Sequence, residues 1–313
     1  MKKPSMFMIT LLFGLVAAPV FAADASAGNQ AATELEETSE GWVFGGSVGI
    51  DYCTKQLTYG LIDNPHAIVT PSAALSLGNE DWFTVELSIE AIFDTTNWGA
   101  KDGGYNDRRY KYQELDPGIT LSRTWDTVSW LGSSLDTSIN YPYEYHPRAC
   151  KKPGLYENPD TQWLNLEISA GDFWLIPTFT LEYQLARQGA SGEGDGKGGI
   201  YATFSLSHEF DVGEPLGLSE GVLTLTPTLG IGMGNKDRNR ADFADYYEEE
   251  GKSADNFMFR DGFGTLELAY SPFEGFAIAP YVGFNQQMDS VAKDAAGDDD
   301  FVAFAGIGVS YEF

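Results

Sequence analysis

The chain has 313 residues, enough for one large domain or two ordinary ones, and its 46 acidic and 19 basic side chains give a formal net charge of −27. This charge excludes a nucleic-acid-binding protein, because such proteins need a basic surface. Glycine (35 residues) and aromatic side chains (14%) are abundant and long runs with the helical period are missing, so the composition favours an all-β protein.

Residues 1–22 are predicted to be a secretory signal peptide. Two lysines precede an apolar run from Phe7 to Ala18, and Val20-Phe21-Ala22 forms a small-residue cleavage site. The alternative is a retained membrane helix, for which the apolar run is short. Residues 23–41 are small, polar and acidic, so we expect a flexible periplasmic leader before a single domain over residues 42–313.

Apolar and polar residues alternate in twelve stretches of this domain. The stretches are residues 42–53, 68–78, 82–94, 112–125, 128–143, 161–171, 174–187, 199–210, 222–234, 259–271, 276–286 and 300–313. A period of two places the apolar residues on one face of a β-strand and the polar residues on the other. Stretches of this length suit tilted strands that cross a bilayer.

The connections between these stretches are alternately long and short. The long ones are residues 54–66, 95–111, 144–160, 188–198, 235–257 and 290–299, and the short ones are 79–80, 126–127, 172–173, 212–219 and 272–275. Up-and-down barrels of the bacterial outer membrane have short periplasmic turns and long outer loops. Lipid cannot hydrogen-bond a strand's N–H and C=O groups, so a sheet in a bilayer must close on itself. The sequence therefore predicts an all-β fold, a twelve-stranded antiparallel up-and-down transmembrane β-barrel, with ten or fourteen strands as alternative counts.

The last stretch looks like the closing strand of a Gram-negative outer-membrane barrel. Its apolar residues alternate up to Tyr311 and Phe313, and these two aromatic residues are the predicted signal to the barrel-assembly machinery. We expect the mature protein to lie in the bacterial outer membrane, in contact with lipid and lipopolysaccharide.

The polar face of the strands is predicted to line a water-filled lumen. Its acidic residues are Asp51, Glu86, Glu90, Glu114, Asp116, Asp136, Glu167, Glu182, Glu209, Asp261 and Glu267. The strand arginines identified, Arg123 and Arg187, lie near strand ends on the outward side. A barrel of twelve strands encloses a wider lumen than a barrel of eight strands, whose interior side chains can fill. An acidic wall favours cations, so we expect a channel for passive diffusion of small hydrophilic solutes.

Three alternatives to an open channel remain. A structural or surface-interaction barrel would have a plugged lumen, and a soluble periplasmic β-sandwich would bury the apolar face. A twelve-stranded outer-membrane phospholipase would need Ser, His and an amide on the outer wall toward the cell surface. His66 and His146 lie in predicted loops and His208 falls at the opposite end, so we predict no enzymatic activity, no cofactor and no metal site.

Basic residues are concentrated in the predicted outer loops. They are Lys101, Arg108, Arg109, Lys111, Arg148, Lys151, Lys152, Lys236, Arg238 and Arg240. If these loops folded inward they would face the acidic wall and create a transverse field, but solvated charge at the cell surface is the preferred interpretation. Cys53 and Cys150 fall on the same side of the membrane, and whether they form a disulfide is left open.

Several motifs taken together resemble the TorF family of porins. They are Asp51-Tyr52, Tyr59-Gly60-Leu61, Val69-Thr70-Pro71-Ser72, Glu114-Leu115-Asp116, the run from Tyr141 to Tyr145, Asp160-Thr161-Gln162 and the run from Gly199 to His208. The resemblance covers about residues 45–235, and Tyr59 stands where members of the family often have Arg. It implies an outer-membrane barrel and says little about cargo.

Overall fold

The computed structural model describes residues 41–58, 61–64, 66–79, 82–95, 112–128, 131–145, 161–187, 198–250, 257–296 and 300–313. The predicted signal peptide and all of the predicted leader except Gly41 lie outside the described residues. Twelve long strands make up most of the described chain. They are β1 (Trp42–Cys53), β2 (Ile68–Asn79), β3 (Thr84–Asp94), β4 (Tyr112–Val128), β5 (Ser133–Glu144), β6 (Thr161–Ser169), β7 (Ile176–Arg187), β8 (Ile200–Ser207), β9 (Leu223–Gly234), β10 (Met258–Phe273), β11 (Phe276–Gln287) and β12 (Phe301–Glu312).

The twelve strands form one closed antiparallel sheet. Each strand pairs with its neighbours in the chain, and β1 also pairs with β12, from Ser47 opposite Glu312 to Cys53 opposite Gly306. At this seam Gly46 and Phe313 exchange two backbone hydrogen bonds, of 2.8 and 2.9 Å. The predicted twelve-stranded up-and-down barrel is confirmed, and the alternative counts of ten and fourteen strands are wrong.

Side chains alternate between the outside and the inside of the barrel along each strand. Leucines that point outward in mid-strand are strongly exposed, for example Leu87 at 59% and Leu229 at 63%. The adjacent Glu86 is buried. The outer surface is therefore a continuous apolar band, much larger than the scattered apolar residues found on ordinary protein surfaces.

Two helices and a short hairpin occupy three of the long connections. The helices are α1 (Lys236–Glu250) and α2 (Ser290–Ala296), and the hairpin pairs Gln56–Thr58 with Leu61–Asn64. The sequence analysis did not predict these elements. Within the described chain, neither helix is long and apolar enough to span a bilayer.

The three connections meet at the end of the barrel that carries the long loops, here called the long-loop end. Phe243 of α1, Met258 of β10 and Ala292 of α2 form a buried apolar cluster, and Leu61 and Val291 pack against it. This cluster joins the hairpin and both helices into one packed layer at the mouth of the barrel.

The opposite end, here called the short-turn end, has a turn held by one carboxylate. Asp211, beyond the end of β8, accepts hydrogen bonds from the backbone N–H groups of Gly221 (2.8 Å), Glu214 (3.0 Å) and Gly213 (2.8 Å). These hydrogen bonds lower the pKa of Asp211 below its ordinary value of 3.8, and the bond from Gly221 contributes most.

Acidification is expected to loosen this turn. A lowered pKa contributes stability that is present above the pKa of the unfolded chain, about 4, and is lost as the pH falls through the folded value. Hydrogen exchange at the Gly213 and Gly221 amides, corrected for its intrinsic pH dependence, should show less protection near pH 2 than at pH 7. The Asp211→Asn variant cannot titrate and should show equal protection at both values. Unchanged protection in the wild-type protein would contradict the prediction.

Candidate functional site in the barrel lumen

The acidic residues predicted to line the lumen alternate with the outward apolar residues, except for Glu209. Buried members are Glu86, Glu114, Asp116, Glu182, Asp261 and Glu267, and half-buried members are Asp51, Glu90, Asp136 and Glu167. Glu209 is also half-buried, but it lies past the end of β8 in the connection to β9. Ten of the eleven residues are thus in barrel strands, and their role in a pore stays a prediction.

A row of carboxylates crosses three neighbouring strands near the long-loop end. Glu90 of β3 lies directly opposite Asp116 of β4. The bridge between Leu115 and Tyr145 continues the antiparallel register of β4 and β5, and it places Asp116 opposite Glu144. Directly opposed side chains in such sheets have Cβ atoms about 4.5–5.5 Å apart, and like charges there are destabilising. The row therefore gathers three carboxyl groups at one level of the lumen.

A second polar row lies two inward positions further from the mouth. Its members pair successively across six strands, in the order Glu86, Thr120, Asn140, Asn165, Glu182 and Tyr201. All six side chains are buried. The inner wall from β3 to β8 is therefore polar throughout this level, with a carboxylate near each end.

A β-bulge brings an arginine into the lumen on the opposite side. Gly232 pairs with Asp261 but Met233 pairs with Phe259, so Arg260 is an extra residue in β10. A bulge shifts the direction in which side chains point. As a result Arg260 and Asp261 are both buried, each 0% exposed.

Asp261 and Arg260 connect the bulge to separate partners. The Asp261 carboxylate accepts hydrogen bonds from Tyr201 Oη (2.8 Å) and Asn285 Nδ2 (2.7 Å). Arg260 forms an ion pair with Asp242 of α1, and its guanidinium lies 4.8 Å from the ring centroid of Phe243. The bulge therefore anchors the helix to β10.

Arg238 anchors the other side of α1. It forms an ion pair with Asp242, donates a 3.1 Å hydrogen bond to Gln184 Oε1 of β7, and lies 5.4 Å from the ring centroid of Trp163 of β6. Gln184 and Trp163 are inward-facing and buried. Since α1 packs against inward side chains from β6 to β10, it lies inside the mouth and narrows it.

This placement corrects the preferred interpretation of the loop charges. Arg238 is not a solvated surface charge but is 8% exposed and folded inward. Lys236 and Arg240 are half-buried on the same helix. The other seven basic loop residues, from Lys101 to Lys152, lie outside the described residues.

On the opposite side of the lumen, Arg238 and Arg260 share one carboxylate, that of Asp242. Burial would raise the pKa of Asp242, but the charges of Arg238 and Arg260 hold it below its ordinary value of 3.8. Asp242 therefore stays ionised at neutral pH and forms ion pairs with both arginines. In a ring of twelve, β4 and β10 are six places apart and face each other. The acidic row thus faces the wall that carries Arg238, Arg260 and Asp242.

Arg260 is the main site residue that the alternation of the sequence did not reveal. A signal was nevertheless present, because Arg260 and Asp261 are adjacent in an alternating stretch. Under strict alternation one of the two would face outward, at a cost of at most about 1 kcal/mol for a basic residue this near the end of a strand. A bulge that turns both inward removes this cost.

The possible disulfide between Cys53 and Cys150 has one half in the described chain. Cys53 is 7% exposed, and its thiol donates a 2.9 Å hydrogen bond to the Lys55 carbonyl beside an apolar cluster that includes Leu57. Cys150 lies outside the described residues, so whether it pairs with Cys53 stays open.

The described histidines are far from each other. His208 follows β8 at the short-turn end, where its ring lies between Trp174 and Phe210, with centroid distances of 4.7 and 4.4 Å. His66 precedes β2 at the long-loop end, and His146 lies outside the described residues. Among the residues that are described, no three His, Cys, Asp or Glu side chains are close enough to hold a metal ion.

Solved outer-membrane proteins align with most of this chain at low sequence identity. No protein-family model and no curated protein matches the chain, so the resemblance to the TorF family stays a prediction. Among solved structures, an outer-membrane channel of Pseudomonas putida F1 has 10% sequence identity and a TM-score of 0.43, covering 91% of this chain and 100% of its own. Outer membrane phospholipase A of Escherichia coli has 9% identity and a TM-score of 0.41, with 85% and 92% covered. Pseudomonas putida OprB has 10% identity and a TM-score of 0.36, with 88% and 94% covered.

Proposed function

We propose that this protein is an outer-membrane porin-like channel for passive diffusion of small hydrophilic solutes, with a preference for cations. The barrel has a continuous apolar outer surface that suits contact with hydrocarbon, and closure pairs each of the twelve described strands on both sides. In this orientation the short-turn end faces the periplasm and the long-loop end faces the lipopolysaccharide. Tyr311 and Phe313, whose exposed rings stack at a centroid distance of 6.5 Å, are proposed to be read by the barrel-assembly machinery.

The observation that carries the cation preference is the unequal charge of the two facing walls. Glu90, Asp116 and Glu144 line up on β3 to β5, while Arg238 and Arg260 on the other side are both paired with Asp242. Fixed negative charge in a narrow, poorly screened passage attracts cations and repels anions. We propose no catalytic role for any residue of the lumen.

Conductance across planar bilayers under a KCl gradient tests this function. The reversal potential is expected to have the sign of a cation-selective pore. In Glu86→Gln/Glu90→Gln the ratio of cation to anion permeability should fall roughly fivefold, which corresponds to about 1 kcal/mol of lost electrostatic attraction. Glu214→Gln removes an exposed charge at the short-turn end and should leave the ratio unchanged. An anion-biased potential would contradict the proposal.

The second candidate is a surface-interaction barrel with a plugged lumen. The packed layer of α1, α2 and the hairpin at the mouth favours it. A folded barrel that inserts into the bilayer but passes no current would support this candidate and overturn the channel.

A further inference from the structure

An exposed arginine stands on the outward face of the barrel near the short-turn end. Arg123 of β4 lies directly opposite Thr137 of β5, and both alternate with inward residues. The outward positions around them are apolar, namely Leu121 on β4, Leu135 on β5 and Ile168 on β6. Attraction between charges is stronger beside apolar groups than in bulk water. Arg123 is therefore placed to hold an anion that reaches the outer surface of the barrel.

The depth of Arg123 matches the boundary of the bilayer. The residue before it pairs with Thr84, the first residue of β3, and Thr137 pairs with the last residue but one of β6. Trp82 and Trp174, which precede β3 and β7 at this end, are 63% and 68% exposed. Exposed tryptophans are typical of the level of the lipid headgroups. In the proposed orientation Arg123 therefore lies among the headgroups of the periplasmic leaflet.

A fixed aromatic ring holds the guanidinium of Arg123. The ring is that of Trp125, and its centroid lies 4.2 Å from the guanidinium carbon, a cation–π contact. The indole N–H of Trp125 donates a 2.9 Å hydrogen bond to the Thr137 hydroxyl, which donates a 3.2 Å hydrogen bond to the Arg123 carbonyl. Because the ring is tied to the next strand, the guanidinium has less conformational freedom to lose when it binds a ligand.

The chemistry of this group selects a phosphate. A guanidinium presents its N–H donors in a planar fork that matches two oxygens of one phosphate group. The apolar residues beside it offer a surface for acyl chains. The chain as a whole has a net charge of −27, which repels anionic lipid. A basic group on the lipid-facing surface would therefore decide where such a lipid binds.

From these contacts we propose that Arg123, Trp125 and Thr137 form a binding site for the phosphate of an anionic phospholipid in the periplasmic leaflet. The inference rests on the proposed function for the orientation of the barrel, and it requires no current through the lumen. The guanidinium donates to the phosphate oxygens, and the acyl chains lie against Leu121 and Leu135. Trp125 and Thr137 are positioning residues, which act through Arg123.

Native mass spectrometry of the folded full-length protein in detergent tests the site. Phosphatidylglycerol and phosphatidylcholine with the same acyl chains are supplied in equal amounts. The wild-type protein is expected to retain more phosphatidylglycerol, and Arg123→Gln should lower the ratio of the two bound lipids about tenfold, through loss of hydrogen bonds from a charged group. Arg123→Lys keeps the charge without the fork, so its ratio should fall between these two.

Lys293→Met is the matched control, because it removes an exposed positive charge from α2 at the long-loop end. It should leave the lipid ratio unchanged. An equal ratio in the wild-type protein and Arg123→Gln, or an equal loss in Lys293→Met, would overturn the site. A cation-biased KCl potential would then still support the proposed function. Conversely, a lipid preference that depends on Arg123 in a barrel without current would keep the site and overturn the channel.

Thermal unfolding separates a lipid site from a site for free phosphate. A ligand that binds the folded state raises its stability. Phosphatidylglycerol should raise the unfolding temperature of the wild-type protein in detergent more than phosphatidylcholine does, and this difference should vanish in Arg123→Gln. Inorganic phosphate should give no shift, because it has no acyl chains to pack against the barrel. A shift by inorganic phosphate as large as that by phosphatidylglycerol would overturn the inference.

Discussion

Replacement of Arg260 by methionine is expected to release α1 from the barrel wall and to raise the single-channel conductance. Arg260 is fully buried and pairs with Asp242, and Arg238 alone would then have to offset the buried carboxylate. Removing one partner of a buried ion pair costs about 3–5 kcal/mol, because a charge is left without its counter-ion. Since α1 narrows the mouth, its release should give larger and noisier current steps.

Current steps and chemical unfolding in lipid would both measure this effect. Arg240→Met changes the same residue type on the same helix, at a position that is half-buried rather than buried. A partly exposed pair contributes at most about 1 kcal/mol, so this control should behave nearly as the wild-type protein does. Wild-type conductance together with wild-type stability in Arg260→Met would show that the bulge does not hold the helix.

Replacement of Leu229 by arginine is expected to prevent insertion of the barrel into lipid bilayers. Leu229 points outward from the middle of β9 and is 63% exposed. Arginine facing hydrocarbon costs about 2–4 kcal/mol at the midplane. Folding into lipid vesicles, followed by the heat-dependent mobility of the barrel on gels, should show a large loss of the folded form.

The control for this variant is the adjacent residue of the same strand. Thr228 is half-buried and faces inward, so Thr228→Arg places the same charge in the lumen, where water can reach it. It should insert normally and weaken the cation preference. Equal insertion of both variants would mean that the apolar band does not face lipid.

The strands could be predicted because one periodicity fixes both their positions and their two faces. Alternation depends on local residue order, and each predicted stretch overlaps mainly one strand. The predicted turn at residues 126–127 was wrong, because these residues lie in β4, and β5 begins only at Ser133. The eighth stretch is an instructive exception, since β8 ends at Ser207 although the pattern continues to Phe210. The facing residue there is Pro227, which has no N–H to donate to the ladder.

The site was harder to predict because it depends on departures from the two-residue alternation of apolar and polar side chains. The bulge at Arg260 moves a charge to the other face, and its one sequence signal is the adjacent pair of charges Arg260 and Asp261. The helix α1 was also missed, although Asn235 Oδ1 caps its first turn by accepting a 2.9 Å hydrogen bond from the Arg238 N–H. That cap is a local signal, but the inward packing of Arg238 is set by side chains of β6 and β7.

The seam between β1 and β12 has a consequence for how the molecule forms. Most neighbouring strands are hairpins close in sequence, whereas this pairing joins opposite ends of the domain. Contacts between segments that are distant in sequence have the greatest entropic cost of loop closure, so they form slowly. We therefore expect the hairpins to assemble early as an open curved sheet and the seam to zip last, so that substitutions there slow maturation while leaving early intermediates intact.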